Sequence, residues 1–139
     1  MLQRVLISSV EYIPSTSISK VIPIKKNNLY KVDVTFTSEL ENLHIHGLAE
    51  LNVKEDTENG EKRYTSQLSF SSKCHQLREE KQGAYVLTTI SGDRLLIGLN
   101  EHPFPVTTQE QPRPADPSGK VMRNEVVVWT SPYPPLEIM

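Results

Sequence analysis

Apolar and polar residues alternate with a period of two along much of the sequence, most clearly on both sides of Asn59-Gly60. Such alternation is typical of β-strands with one buried face. Asn-Gly between two alternating stretches is the strongest short-range signal for a hairpin with a two-residue primed turn, because both turn residues need a positive φ. The register this turn implies places apolar residues opposite apolar ones and polar residues opposite polar ones: Leu51 with Leu68, Ala49 with Phe70, Lys54 with Thr65, Asn52 with Gln67, and Glu50 with Ser69. A shift of one residue would exchange the two faces, so the pattern predicts the register as well as the hairpin.

Two further stretches predict strands in the first third of the chain. Arg4 to Ile13 is a first strand, which ends at a proline. Leu29 to Thr37 alternates between a polar face and an apolar face, as a half-buried strand does. A three-residue loop before it is expected to place Ile24 opposite Tyr30.

The second half of the chain predicts another hairpin and two more strands. Gly92-Asp93 suits a type II′ turn, which would place Ile90 opposite Leu95. Both faces of this hairpin carry apolar residues, so we expect both to be covered. Strands are also predicted at 104–109 and 125–131, and the only helix candidate is a short charged stretch at 73–82.

This order of elements predicts an all-β fold. About nine strands joined by hairpins imply an antiparallel β-sandwich or barrel, and the length of 139 residues suits a single domain over residues 1–139. A proline-rich loop is expected at 111–119, followed after the last strand by an extended, apolar tail at 132–139. Prolines exclude a helix in that tail, so it must pack either on its own domain or on a partner.

Composition argues against several classes of function. The formal net charge is −2 and the basic residues are scattered, which disfavours a nucleic-acid-binding surface. No apolar stretch approaches the ~20 residues that a membrane-spanning helix needs. The first residues do not have the pattern of a signal peptide, so we expect a cytoplasmic or virion-associated protein. The single cysteine excludes an internal disulfide.

Three histidines form the sharpest candidate for chemistry. His44 and His46 point to one face of a strand, and the hairpin register extended outward places His75 opposite His44. Three imidazoles could hold zinc with an open fourth position. Against this, Lys73 falls opposite His46, where an ammonium would repel the dication. We therefore expect no metal and no other cofactor, and histidines that are solvated or at an interface.

Other residues provide weaker candidates. Cys74 falls on the inward face opposite Ile45, where burial as a small apolar side chain is expected rather than nucleophilic chemistry. The serines lie in no nucleophile motif, so no catalytic residue is predicted. Trp129 with Tyr133, and Tyr12 with Tyr64, could form a platform for a sugar, although packing in the core is the simpler interpretation.

Three segments carry a resemblance to a known class of proteins. They are Tyr64–Phe70 (YTSQLSF), Ala84–Pro105 with its Leu-Leu-Ile-Gly stretch and Pro-flanked Phe104, and Val128–Ile138 with its proline-rich ending. Together they resemble small structural proteins, of tail or head–tail type, from prophages and mobile elements of Bacteroides-like bacteria. The resemblance implies a virion or tail-assembly component with a β-rich body, and it transfers no catalytic residue.

Two functions remain as hypotheses. The first is a non-enzymatic structural or interaction protein that associates with protein partners or with itself, with neither nucleic acid nor membrane as partner. Hairpin edges would support strand addition, and the tail would order on a neighbour. The alternative is a β module that binds a glycan or a peptide.

Overall fold

A computed structural model describes residues 2–19, 23–26, 29–43, 45–73, 83–99, 103–109, 113–114 and 121–138. Strands dominate this part of the chain, and its only helical turn is a 3₁₀ turn at Ser15–Ser17. The strands, β1 to β12 in chain order, are Leu2–Pro14, Ile24–Lys26, Leu29–Val32, Glu41–Asn42, Ala49–Glu58, Glu61–Lys73, Gly83–Thr89, Arg94–Ile97, Val106–Gln109, Arg113–Pro114, Val121–Ser131 and Leu136–Ile138. The prediction of an all-β fold is confirmed. The helix candidate at 73–82 begins with the last residue of β6, and the rest of it lies outside the described residues.

All twelve strands belong to one sheet, whose order is β10-β11-β6-β5-β1-β7-β8-β12-β3-β2. In addition, β4 pairs with β1, and β9 pairs with β11. Among the strands that the structure describes, every pairing is antiparallel except that of β12 with β3. In the described part of the chain the sheet has two ends, at β10 and β2, and does not close into a barrel, so of the two predicted architectures the barrel is wrong.

β1 pairs with two different strands along its length. Its first half, Leu2–Ile7, pairs with β5, and its second half, Ile7–Pro14, pairs with β7. A shift in register leaves Ser8 as the extra residue of a bulge, and its hydroxyl donates to the carbonyl oxygen of Thr88 at 3.1 Å. Bulges increase the local bend of a strand, which suits a strand shared between two halves of a sheet.

The two halves of the sheet face each other across one apolar core. Tyr30 of β3 lies 6.4 Å, between ring centroids, from Tyr64 of β6. On the other side, the Tyr85 hydroxyl of β7 lies 2.6 Å from the Thr107 hydroxyl of β9. The buried residues of both halves form a single cluster, whose largest fully buried side chains include Trp129, Ile7, Ile13, Leu51, Leu68, Leu87, Ile97 and Leu136.

The hairpin at Asn59-Gly60 has the predicted turn and register. Asn59 has a φ of 51° and Gly60 a φ of 80°, as a type I′ turn requires. All the predicted pairs from Glu50–Ser69 to Lys54–Thr65 are present. The observed pairs end at Glu50 opposite Ser69, so the predicted pair of Ala49 with Phe70 is not found among the described residues. Before the strand, Gly47 adopts a φ of 74° in a bend.

The register predicted for the hairpin at Gly92-Asp93 is wrong. Leu95 lies opposite Leu87 rather than Ile90, which is 60 % exposed. The loop has three residues instead of two: the Thr89 N–H donates to the Asp93 carbonyl at 2.8 Å, and Gly92 takes a φ of 96°. A type I turn followed by a left-handed glycine is the usual three-residue hairpin loop, and it changes the pairing. Burial of both faces is confirmed, since Gly83–Leu87 is buried throughout.

Two other predicted features need correction. Ile24 lies opposite Lys31 rather than Tyr30, because β2 and β3 pair as far as Lys26 opposite Leu29 and leave two residues between them. The apolar tail supplies β12, which lies inside the sheet, antiparallel to β8 on one side and parallel to β3 on the other. The segment therefore completes its own sheet, which removes the expectation that it orders on a neighbour.

Candidate binding surface

The distal part of the β5–β6 hairpin extends past the strands on both sides of it. β1 ends its pairing with β5 at Lys54, and β11 ends its pairing with β6 at Tyr64. Within the described chain, residues 56–63 pair only with each other, and every one of them is exposed. We call residues 56–63 the ribbon.

Local interactions hold the ribbon together. An ion pair joins Arg63 to Glu58 across its two strands at 3.7 Å, and another joins Lys62 to Glu55, the residue just before the ribbon, at 3.4 Å. Exposed pairs of this kind contribute at most about 1 kcal/mol each. A two-stranded ribbon without a third strand is marginally stable in water, so the type I′ turn and the packed base of the hairpin keep it formed.

Three half-buried tyrosines cluster at the base of the ribbon. The Tyr30 ring contacts both of the others edge to face, at 6.4 Å from Tyr64 and 5.8 Å from Tyr133. The Lys25 ammonium lies 5.7 Å from the centre of the Tyr30 ring, which is within the range of a cation–π interaction. We call Tyr30, Tyr64 and Tyr133 the tyrosine cluster.

The pKa values of two groups are raised here: the hydroxyl of Tyr64, within the cluster, and the ammonium of Lys62, beside it. Burial raises the pKa of the Tyr64 hydroxyl above 10.0, and the nearby Glu55 carboxylate raises it further. The same carboxylate, through a hydrogen bond and its charge, raises the pKa of Lys62 above 10.5. Both groups therefore keep their protons at neutral pH, and the surface offers hydroxyl and ammonium donors together with aromatic edges.

The predicted sugar platform is not assembled as expected. Trp129 is 1 % exposed, and its indole N–H donates to the Pro103 carbonyl at 3.0 Å, so it belongs to the core. Tyr12 packs against Tyr85, at 5.4 Å between ring centroids, rather than against Tyr64. Of the four residues predicted for the platform, Tyr64 and Tyr133 lie in the tyrosine cluster, whereas Trp129 and Tyr12 do not.

One of the three predicted histidines, His46, lies within the described residues. His46 is exposed, and its backbone N–H donates to the Ser71 carbonyl at 2.7 Å. His44 and His75 lie outside the described residues, as does Cys74. Among the residues that the structure describes, no group of three His, Cys, Asp or Glu side chains could hold a metal ion.

Two edges of the sheet are open in the described part of the chain. β2 pairs only with β3, and its outer edge carries Ile24, which is 58 % exposed, and Lys25. At the opposite end of the sheet, Val106 of β9 is 65 % exposed. Open edges are templates for the addition of another strand.

Comparison with protein-family models, with curated proteins and with solved structures finds no match to this chain. The described residues include no helix that is both long and apolar enough to span a membrane.

Proposed function

We propose that this protein is a non-enzymatic interaction protein that assembles with protein partners through the ribbon. The single observation that carries the proposal is the extension of residues 56–63 beyond the rest of the sheet, with every residue exposed. Each unpaired strand edge presents a row of backbone donors and acceptors, which makes it a template for pairing with another chain. Strand addition to such an edge provides affinity from the main chain and specificity from the side chains.

The phage-type setting rests on the resemblance of the segments between Tyr64 and Ile138 to small virion and tail-assembly proteins. We propose a place in the virion or in the tail-assembly pathway on that basis. An all-β body with a projecting hairpin suits a component that contacts repeated copies of a neighbour.

A shortened ribbon tests this function directly. Deletion of Thr57-Glu58 together with Glu61-Lys62 removes two complete cross-strand pairs and leaves Asn59-Gly60 at the turn. The faces of both strands are kept, because each strand loses two residues. We expect this variant to melt within a few degrees of the full protein and to lose its association with co-expressed products of the neighbouring genes. An unchanged association would refute the proposal.

A second candidate function is the binding of a glycan or a peptide at the tyrosine cluster. Three half-buried rings beside Lys25 and Lys62 favour it, because aromatic rings with polar tips provide stacking surface and hydrogen bonds together. Titration with glycans and with proline-rich peptides, followed through the ring resonances of Tyr133, tests it. Tyr12, which is buried against Tyr85, is the control whose resonances should not move.

A further inference from the structure

The outer edge of the distal part of β5 is acidic. Three of the four residues from Glu55 to Glu58 carry carboxylates, and each of these also lies 3.4 to 3.9 Å from a cation of the same hairpin. In a two-residue hairpin the residues next to the turn bond to each other, so alternate residues direct their N–H and C=O groups outward. On β5 those residues are Thr57 and Glu55, and the described part of the chain supplies them with no partner strand on that side.

The outer edge of β2 is basic. Its sequence is Ile24-Lys25-Lys26, and Pro23 precedes it. By the same rule Lys25 directs its backbone groups outward, because Lys26 pairs with Leu29 beside the turn. Lysine at an edge opposes pairing with a basic strand, and Pro23 restricts an added strand to the residues that follow it, because proline has no N–H to donate. An acidic strand would be attracted to lysine instead of repelled. The charge of the β2 edge therefore favours the acidic part of β5 as its partner.

Both edges lie at the same end of the molecule. Lys25 lies against the Tyr30 ring, Tyr30 contacts Tyr64, and Tyr64 pairs with Glu55 at the base of the ribbon. They do not pair within one chain, since β2 bonds only to β3 among the described residues. Two copies related by a two-fold axis could exchange both contacts, so each ribbon would meet the other copy's β2.

We propose that the protein forms a symmetric dimer in which the acidic outer edge of the ribbon strand β5 pairs with the basic outer edge of β2 in a second copy. This inference rests on the proposed function and identifies the partner of the ribbon as the same chain. Pairing of two β5 edges with each other is disfavoured, because carboxylates would then face carboxylates across the new contact.

A charge exchange tests the pairing. Asp56→Lys and Lys25→Glu each bring like charges together at both contacts of the dimer, so each should weaken dimerisation about tenfold or more at low salt. The double variant restores opposite charges and should dimerise nearly as the unmodified protein does. Asp56 suits the test because its own ion pair with Lys54 is long, at 3.9 Å, and exposed. Sedimentation equilibrium measures the dissociation constant, and thermal melts confirm that each variant is folded.

A backbone test complements the charge test. Thr57→Pro removes an outward N–H that the dimer would use and leaves the bonds between β5 and β6 in place, whereas Thr57→Val keeps the N–H. We expect the proline variant to be monomeric and the valine variant to dimerise.

The outcomes separate this inference from the proposed function. A protein that is monomeric at every concentration, or a double variant that is no better than the single ones, overturns the dimer. If the ribbon-shortened protein then still loses its co-expressed partners, the proposed function stands without self-association. If full-length and shortened proteins bind the co-expressed partners equally, the proposed assembly with other proteins through the ribbon fails, and the charge exchange alone decides whether the ribbon serves self-association.

Discussion

Leu136 of β12 lies directly opposite Leu96 of β8, and neither side chain has any exposed surface. The contact joins the end of the chain to the centre of the sheet. It follows that the segment after Ser131 contributes to the stability of the domain, because its removal would expose the edges of both β8 and β3.

We therefore expect deletion of residues 132–139 to unfold the domain. Leu136→Ala should cost about 2–5 kcal/mol of the free energy of unfolding, as do other truncations of a fully buried leucine. Glu137→Gln, on the next residue and only half-buried, is the matched control and should cost little. Urea denaturation measures both. A truncated protein with an unchanged melting temperature would mean that β12 is dispensable.

The same loss of buried packing is expected at the centre of the first hairpin. Leu68 is fully buried opposite Leu51, and Leu68→Ala should cost about 2–4 kcal/mol. Gln67→Ala, its exposed neighbour on the opposite face, should cost less than about 0.5 kcal/mol. Equal losses for the two variants, measured by chemical denaturation, would contradict the assignment of the faces.

The first hairpin was predictable because two independent signals agree there. Asn59-Gly60 supplies the positive φ values that the turn needs, and the alternation on both strands fixes the register. At the next hairpin the signals conflict: Gly92 suits the first position of a two-residue turn and the last position of a three-residue loop equally well. The Thr89 hydroxyl accepts a hydrogen bond from the Asp93 N–H at 3.1 Å, which favours the longer loop. A prediction based on the dipeptide Gly92-Asp93 alone does not take Thr89 into account.

The tyrosine cluster could not be predicted from the sequence. Its three members come from β3, β6 and the segment just after β11, so only the folding of the sheet brings them together. Sequence neighbours suggested Trp129 with Tyr133 instead, but alternation along β11 directs Trp129 into the core. The position of β12 between β8 and β3 likewise depends on pairing between residues far apart in the sequence, which turn residues do not predict.

Two glycines with positive φ differ in what surrounds them. Gly98 has a φ of 104°, and a Cβ there would lie 2.9 Å from Ala84 and 2.9 Å from Pro105. Gly92 has a φ of 96° and open space around it. Gly92→Ala should cost about 1–2 kcal/mol for backbone strain, and Gly98→Ala should cost at least about 1 kcal/mol more for the overlap. Thermal and urea unfolding decide the order, and a smaller loss at Gly98 would contradict the packing around it.

We expect opposite effects on stability when two buried serines are replaced by alanine. The Ser66 hydroxyl is fully buried and has no hydrogen-bond partner in the described part of the structure, so Ser66→Ala should be neutral or slightly stabilising. The Ser131 hydroxyl donates to the Tyr133 carbonyl at 2.7 Å and accepts from the Tyr133 N–H at 3.0 Å. Ser131→Ala should cost about 1 kcal/mol or more, because it removes two hydrogen bonds to the part-buried backbone of Tyr133. A destabilised Ser66→Ala variant would show that the hydroxyl has a partner.

The pKa of Tyr64 gives a test of the tyrosine cluster in alkaline solution. Burial and the Glu55 carboxylate raise this pKa above 10.0, so the folded protein holds the proton more tightly than the unfolded chain does. The stabilisation is complete below pH 10 and is lost as the pH rises through the pKa of the folded state. Ring ¹³C resonances of Tyr64, followed through the titration, report its pKa directly.

Glu55→Gln should lower the pKa of Tyr64 part of the way toward 10.0, because the charge is removed and the burial remains. Glu50→Gln is the matched control, since Glu50 lies on the same strand but pairs with Arg4 at 3.1 Å. The fall in stability between pH 10 and the folded pKa should shrink in Glu55→Gln and stay the same in Glu50→Gln. If both variants titrate like the unmodified protein, the carboxylate of Glu55 does not act on the hydroxyl of Tyr64, and the electrostatic link between the ribbon and the tyrosine cluster is wrong.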